Sequence, residues 1–141
     1  MKNNGNPTQW GPEYPNEEIA AKDIADGNLY VCMENNSIVG VFTFFVGDEP
    51  TYHNIEQGTW HSSMQYGTIH RLASDGSIRG ISRICFDFCC ERCNYLRIDT
   101  HRDNKPMLAA LKKYGFHECG IIRVRDGSER IGFDYLKNRC L

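Results

Sequence analysis

The stretch of sequence that decides the fold is Ser77-Ile78-Arg79-Gly80-Ile81-Ser82, which separates two patterned segments. Upstream, residues 66–73 (YGTIHRLA) form an apolar run typical of a strand. Downstream, apolar residues recur at i, i+3, i+4 and i+7, as on one face of a helix: Ile81, Ile84, Cys85 and Phe88. The sequence therefore predicts a strand, a short glycine-containing loop and the N-terminus of a helix.

This junction has the features of a phosphate seat. Free backbone N–H groups at the positive end of a helix dipole attract anions. Gly80 lets the backbone approach an anion closely, and Ser82 adds a hydroxyl donor. Arg79 and Arg83, four residues apart, add positive charge on adjacent turns of one face. Taken alone, the pattern fits either a phosphate-binding loop or an ordinary tight connection.

The segments that follow point to one family. Residues 95–100 predict a second strand, which is followed by Asn104 and by a short helix closed by Gly115-Phe116. In this order, the features resemble the Gcn5-related N-acetyltransferase (GNAT) family. Its acetyl-CoA motif, Gln/Arg-x-x-Gly-x-Gly/Ala, begins the central helix and corresponds here to Ser77-x-x-Gly80-x-Ser82. Gly40-Val41-Phe42 on a hairpin strand also matches, and the resemblance extends from about Leu29 to the C-terminus.

The resemblance implies an α/β (α+β) fold with a mixed, mostly antiparallel central sheet flanked by helices. Hairpins across Asn35-Asn36 and Asp126-Gly127 supply four of the strands. We expect residues 1–141 to form a single GNAT-like domain. The family's usual first strand and helix lack a counterpart before residues 5–10, so we expect an exposed sheet edge and a possible homodimer.

The resemblance also implies how acetyl-CoA, as co-substrate, would bind. The pantetheine arm would run along the strand that carries Leu72, and the pyrophosphate would accept N–H bonds at the start of the helix. Asn104 would approach from the other side, and Ser77 replaces the usual Gln or Arg. The residues expected to contact the cofactor are Leu72, Ala73, Ser74, Ser77, Arg79, Gly80, Ile81, Ser82, Arg83 and Asn104.

The expected reaction is direct transfer of an acetyl group to a primary amine of a small molecule or peptide. A general base must remove the ammonium proton, and the candidates are Glu56, on the long aromatic and acidic loop 47–65, and His70, on the central strand. Asp99, at the end of its strand, is better suited to a structural role. An acyl-CoA-binding module without turnover is the alternative function.

The position expected to hold the general acid departs most from the family's pattern. Many family members place a tyrosine four residues before the closing Gly-Phe, but this chain has Leu111 there. Tyr114, one turn further along, is the remaining candidate for protonating the leaving thiolate. Protonation of the thiolate by solvent is the alternative, since a thiol with a pKa of about 8.5 is a fair leaving group.

Composition limits the class of protein. The chain has 141 residues, 40% hydrophobic and 24% charged, with a net charge of -2, which favours neither nucleic acid nor membrane as a partner. Seven cysteines, an odd number, and an N-terminus unlike a signal peptide indicate reduced thiols and a cytoplasmic location. Four of them crowd residues 85–93, where we expect small buried side chains and no metal site.

Overall fold

Six strands form one mixed sheet in the part of the chain that the computed structural model describes, Ile24 and residues 26–137. The elements are β1 (Leu29–Glu34), β2 (Ser37–Val46), β3 (Gly67–Ser74), α1 (Ile81–Cys90), β4 (Tyr95–Thr100), α2 (Lys105–Tyr114), β5 (His117–Arg123) and β6 (Glu129–Leu136). The strand order is β1-β2-β3-β4-β6-β5, and only β3 and β4 run parallel. The predicted fold class is confirmed. The expectation of a shortened N-terminus concerns residues outside the described ones.

Both predicted hairpins are present, and local turn chemistry explains them. Asn35 and Asn36 adopt φ angles of 50° and 66°, the left-handed pair that a two-residue turn between twisted strands requires. In the turn between β5 and β6, the Asp126 carboxylate accepts bonds from the backbone N–H and the hydroxyl of Ser128 at 2.9 and 2.6 Å. These bonds hold the turn and lower the pKa of Asp126.

Helix α1 packs one face onto the sheet, and that face differs in part from the predicted one. Ile81 and Cys85 are buried as expected, but Ile84 is 51% exposed and the prediction for it is wrong. Phe86, Cys89 and Cys90 complete the buried face instead. The cysteines act as small apolar side chains in the main core, where burial raises the pKa of Cys85.

The opposite face of the sheet is covered by the long connection between β2 and β3. Its Tyr52 and Tyr66 form a second core with Tyr95 of β4 and Ile122 of β5. The Arg97 guanidinium lies over the rings of Trp60 and Tyr66, at 4.3 and 4.1 Å from their centroids. Cation–π contacts and ring burial therefore fix this connection on the sheet. Among the described residues, none of the helices is long and apolar enough to span a membrane.

Strands β3 and β4 separate partway along their length. Their pairing runs from Gly67–Leu96 to Ile69–Ile98 and goes no further. Just beyond that point, Arg71 has a φ of 53° and the β2–β3 register shifts, which is a bulge that bends β3 away. The result is a V-shaped opening between the C-terminal halves of β3 and β4, called the splay below.

Candidate active site

The N-terminus of α1 has the geometry of an anion-binding site, called the anion seat below. Gly80 is the N-cap, with a φ of 86° and no side-chain capping bond. The first intrahelical bond runs from the Ile84 N–H to the Gly80 carbonyl at 3.0 Å, so the N–H groups of residues 81–83 precede it. A Cβ at Gly80 would meet no atom within 4 Å, which leaves room for a ligand at these donors.

The loop before α1 is held by its own side chains. The Asp75 carboxylate accepts bonds from the N–H and hydroxyl of Ser77 at 2.9 and 2.6 Å, which lower the pKa of Asp75. The Ser74 hydroxyl accepts the Gly76 N–H at 3.0 Å. Ser77 therefore shapes the loop through Asp75. Arg79 and Arg83 are exposed, and Arg83 lies only loosely against Asp87, at 3.9 Å.

Asn104 has a structural role in addition to the one expected of it. Its side chain is 3% exposed and accepts the Met107 N–H at 3.3 Å, so it caps the N-terminus of α2. Leu72, Ala73 and Ser74 occupy the part of β3 beyond the splay point, where β4 no longer pairs with the strand.

A cluster of ionisable side chains lies where the splay opens. His70 and Asp99 are the first residues beyond the last β3–β4 pair. His70 Nε2 lies 2.7 Å from Glu49 Oε1, and His70 Nδ1 lies 4.0 Å from Asp99 Oδ1. The Tyr52 hydroxyl donates to Asp99 Oδ1 at 2.7 Å. The side chains of His70, Glu49 and Asp99 are between 11% and 19% exposed, so all three are largely shielded from solvent.

The protonation states of this cluster follow from its contacts. Burial raises the pKa of Glu49, but bonds from His70 and from Thr51 outweigh it and leave the pKa at about 2. Glu49 is therefore a carboxylate that accepts a hydrogen bond from the N–H at Nε2 of His70. The other ring nitrogen, Nδ1, is then the acceptor of the ring. Burial, together with the charge of Asp99, raises the pKa of Tyr52, so this hydroxyl remains a donor.

The structure places Glu56, one of the two candidate bases, away from His70 and the splay. Its backbone exchanges two 2.8 Å bonds with Ile121, at the outer edge of β5, and its carboxylate lies 3.1 Å from Arg123. Strands β6 and β5 intervene between β4 and Glu56 in the sheet. This isolated β-bridge holds the Glu56 part of the loop at the edge of the sheet, away from the splay.

The Tyr114 hydroxyl, the candidate general acid, contacts side chains of α1. It donates to Asp87 Oδ1 at 2.7 Å and contacts Cys90 Sγ at 3.5 Å, so it links α2 to α1. Burial and these contacts raise its pKa. Leu111, at the position where many family members have the acid, is fully buried among apolar side chains. The structure therefore places the Tyr114 hydroxyl in contacts with α1, and its role as the general acid stays a prediction.

Nothing in the sequence marks Glu49 as the partner of His70. The loop is acidic, but its composition does not indicate which carboxylate faces the strand. No spacing signal links residues 21 positions apart across a connection whose regular structure is limited to the 3-10 helix Pro50–Tyr52 and one β-bridge.

Comparison with solved structures supports the fold independently. A GNAT-family acetyltransferase from Streptococcus agalactiae superimposes with a TM-score of 0.82 at 28% identity, over 92% of this chain and 76% of that one. A putative acetyltransferase from Staphylococcus aureus gives 0.64 at 24% identity, over 88% and 81%. The NatC complex bound to Gag peptide and CoA gives 0.53 at 16%, over 77% and 70%. No protein-family model and no curated protein matches the sequence.

The chain therefore has the GNAT acetyltransferase fold. Its similarity to a GNAT-family acetyltransferase over nine-tenths of its length suggests an acetyl-CoA-dependent acetyltransferase.

Proposed function

We propose that this protein transfers an acetyl group from acetyl-CoA directly to a primary amine of a small molecule or peptide. The observation that carries the proposal is the splay, which opens beside the uncapped N-terminus of α1. An unpaired strand edge suits the amide groups of pantetheine, and the helix N-terminus suits a pyrophosphate. A single ligand that contains both groups would satisfy both sites.

The proposed cofactor contacts follow from this arrangement. The pyrophosphate would accept N–H bonds from residues 79–83, next to the open space at Gly80. Pantetheine would pair with the edge of β3 at residues 72–74. Asn104 would border the same opening from the α2 side. The CoA bound to the NatC complex, which shares this fold, supports the assignment.

His70 is the proposed general base. His70 Nδ1 would take one proton from the ammonium group, and the neutral amine nitrogen would then attack the thioester carbon. The C–S bond breaks as the amide forms, and the second proton lost from the nitrogen passes to solvent. Glu49 and Asp99 would stabilise the resulting imidazolium because both lie beside the ring. The same carboxylates, with the exposed Asp48, would attract an acceptor that is cationic before it reacts. Solvent would protonate the departing thiolate.

A pair of glycine variants tests cofactor binding. Acetyl-CoA at 100 times its Kd should stabilise the native protein by roughly 2.7 kcal/mol, seen as a higher melting temperature. Gly80→Glu should abolish this shift because it places a negative side chain in the anion seat. Gly127→Glu is the matched control, since Gly127 has a similar φ of 83° and equally open surroundings. An unchanged melting temperature of the wild-type protein with acetyl-CoA would refute the assignment.

Binding of acyl-CoA without turnover is the second candidate function. The buried Leu111 favours it, because no side chain at that position can protonate the thiolate. Release of free CoA, followed with a thiol reagent across a panel of amines, separates the two functions. Amine-dependent release indicates transfer, and thermal stabilisation without release indicates a binding module.

A further inference from the structure

Three side chains with metal-binding atoms meet on the face of the sheet opposite α1. They are His61 of the β2–β3 connection, Cys119 of β5 and Asp134 of β6. His61 Nδ1 lies 2.7 Å from Asp134 Oδ1 and 3.3 Å from Cys119 Sγ. All three atoms lie within 4.8 Å of one another. Their elements differ from those that form the anion seat, so the cluster is separate from that part of the proposed active site.

The geometry does not suit a catalytic Cys-His-Asp relay. Such a relay needs the carboxylate on one ring nitrogen and the thiol on the other, so that a proton can cross the imidazole. Here Asp134 and Cys119 both approach Nδ1 of His61. Burial, together with the Asp134 charge, also raises the pKa of Cys119, so the thiol is not an activated nucleophile.

The same convergence suits a metal ion. Tetrahedral Zn²⁺ binds Cys sulfur at about 2.3 Å and His nitrogen or carboxylate oxygen at about 2.0–2.2 Å, which separates ligand atoms by roughly 3.2–3.7 Å. The observed 2.7 and 3.3 Å separations need to open by less than about 1 Å to reach that range. When the ion takes the place of the proton on His61 Nδ1, that proton moves through solvent to Nε2, and the loss of the His61–Asp134 hydrogen bond allows this opening.

The surroundings of Asp134 orient it as a monodentate ligand. Its side chain has no exposed surface. Oδ2 accepts hydrogen bonds from the Tyr95 hydroxyl at 2.7 Å and from the backbone N–H of His61 at 2.8 Å. Oδ1 is thereby directed at the His61 ring, as carboxylate ligands are in metal sites with ordered outer contacts. The His61 side chain is 35% exposed, so an ion can enter from solvent.

We propose that His61, Cys119 and Asp134 bind Zn²⁺. The exposed His117, whose ring centroid lies 6.1 Å from that of His61, or a water molecule supplies the fourth position. Binding replaces the Cys119 proton, which is released to solvent, and the thiolate and carboxylate neutralise the ion. The ion ties the β2–β3 connection to β5 and β6, and so stabilises the covered face of the sheet.

No metal site was predicted from the sequence. Cys119 is one of three scattered cysteines, and His61 lies 58 residues from Cys119 and 73 from Asp134. Zinc motifs that are visible in sequence place ligands in close pairs, and this chain has no such pairs among the three residues.

Cobalt substitution of the untagged, metal-stripped protein tests the proposal. Stoichiometric Co²⁺ should give a thiolate-to-cobalt charge-transfer absorption and tetrahedral d–d bands, and Zn²⁺ should displace the cobalt and raise the melting temperature. Cys119→Ser should lose the charge-transfer absorption and weaken binding by roughly 100-fold or more. Cys93→Ser is the matched control, since this half-buried thiol lies on the segment after α1, and it should behave as wild type.

His61→Ala provides a second variant in case Cys119→Ser does not fold. His61 is partly exposed, and this substitution should also weaken Co²⁺ binding. The proposal is overturned if the wild-type protein binds no stoichiometric metal, or if the charge-transfer absorption persists in Cys119→Ser. None of these results depends on acetyl-CoA, so failure here leaves the acetyltransferase proposal untouched.

Discussion

The charge of Glu49 should make a large, pH-dependent contribution to stability, and Glu49→Gln removes that charge with little change in shape. The carboxylate is 16% exposed and lies 2.7 Å from His70 Nε2. It also accepts the backbone N–H and the hydroxyl of Thr51 at 3.0 and 3.1 Å. Glutamine can keep one acceptor oxygen in place but cannot provide a negative charge beside the imidazole.

The magnitude follows from the pKa of Glu49, which falls from 4.5 to about 2 on folding. That fall corresponds to roughly 3 kcal/mol of preference for the charged form, an upper limit because glutamine retains some hydrogen bonding. We expect Glu49→Gln to lower the free energy of unfolding by about 1–3 kcal/mol at pH 7. Because the folded pKa is depressed, the contribution is complete above about pH 5 and is lost as pH falls towards about 2.

Urea denaturation of both proteins at pH 7, 4 and 3 measures this difference directly. The gap between wild type and Glu49→Gln should be widest at pH 7 and should narrow at pH 3. Glu56→Gln is the matched control from the same loop, because its ion pair with Arg123 is half exposed and contributes about 0–1 kcal/mol. Equal stability of the two proteins at pH 7, or a gap that does not change with pH, would refute the reasoning.

Three further variants test other parts of the structure. His70→Gln should lower kcat by roughly 100-fold with acetyl-CoA affinity unchanged, and full kcat would exclude His70 as the base. Tyr114→Phe should lower kcat by less than about tenfold, and loss of the hydrogen bond to Asp87 should lower the free energy of unfolding by about 1 kcal/mol. A much larger loss of kcat would indicate that Tyr114 is the general acid. Gly58→Ala should destabilise the protein measurably in urea, since the new Cβ would clash with the backbone carbonyl of Cys119. Wild-type stability of this variant would show that the loop does not pack against β5.

Local patterns were sufficient to predict most of the fold. The two hairpins could be predicted because Asn35-Asn36 and Asp126-Gly127 favour tight turns whatever the rest of the chain does. The start of α1 could be predicted because Gly80 is followed by apolar residues at helical spacing. Ile84 was the exception, because spacing defines a stripe on a helix but not which edge of the stripe meets the sheet.

The sequence by itself determined the order of elements, the helix start at Gly80 and the location of His70 on the central strand. Each depends on residues close together in the chain, and local backbone preferences act over that range. Only the tertiary structure decided that Glu49, and not Glu56, meets His70, and that His61 and Asp134 meet Cys119. Those contacts depend on strand order and on the path of a loop of irregular structure, which tyrosine packing and the stacking of Arg97 fix on the sheet.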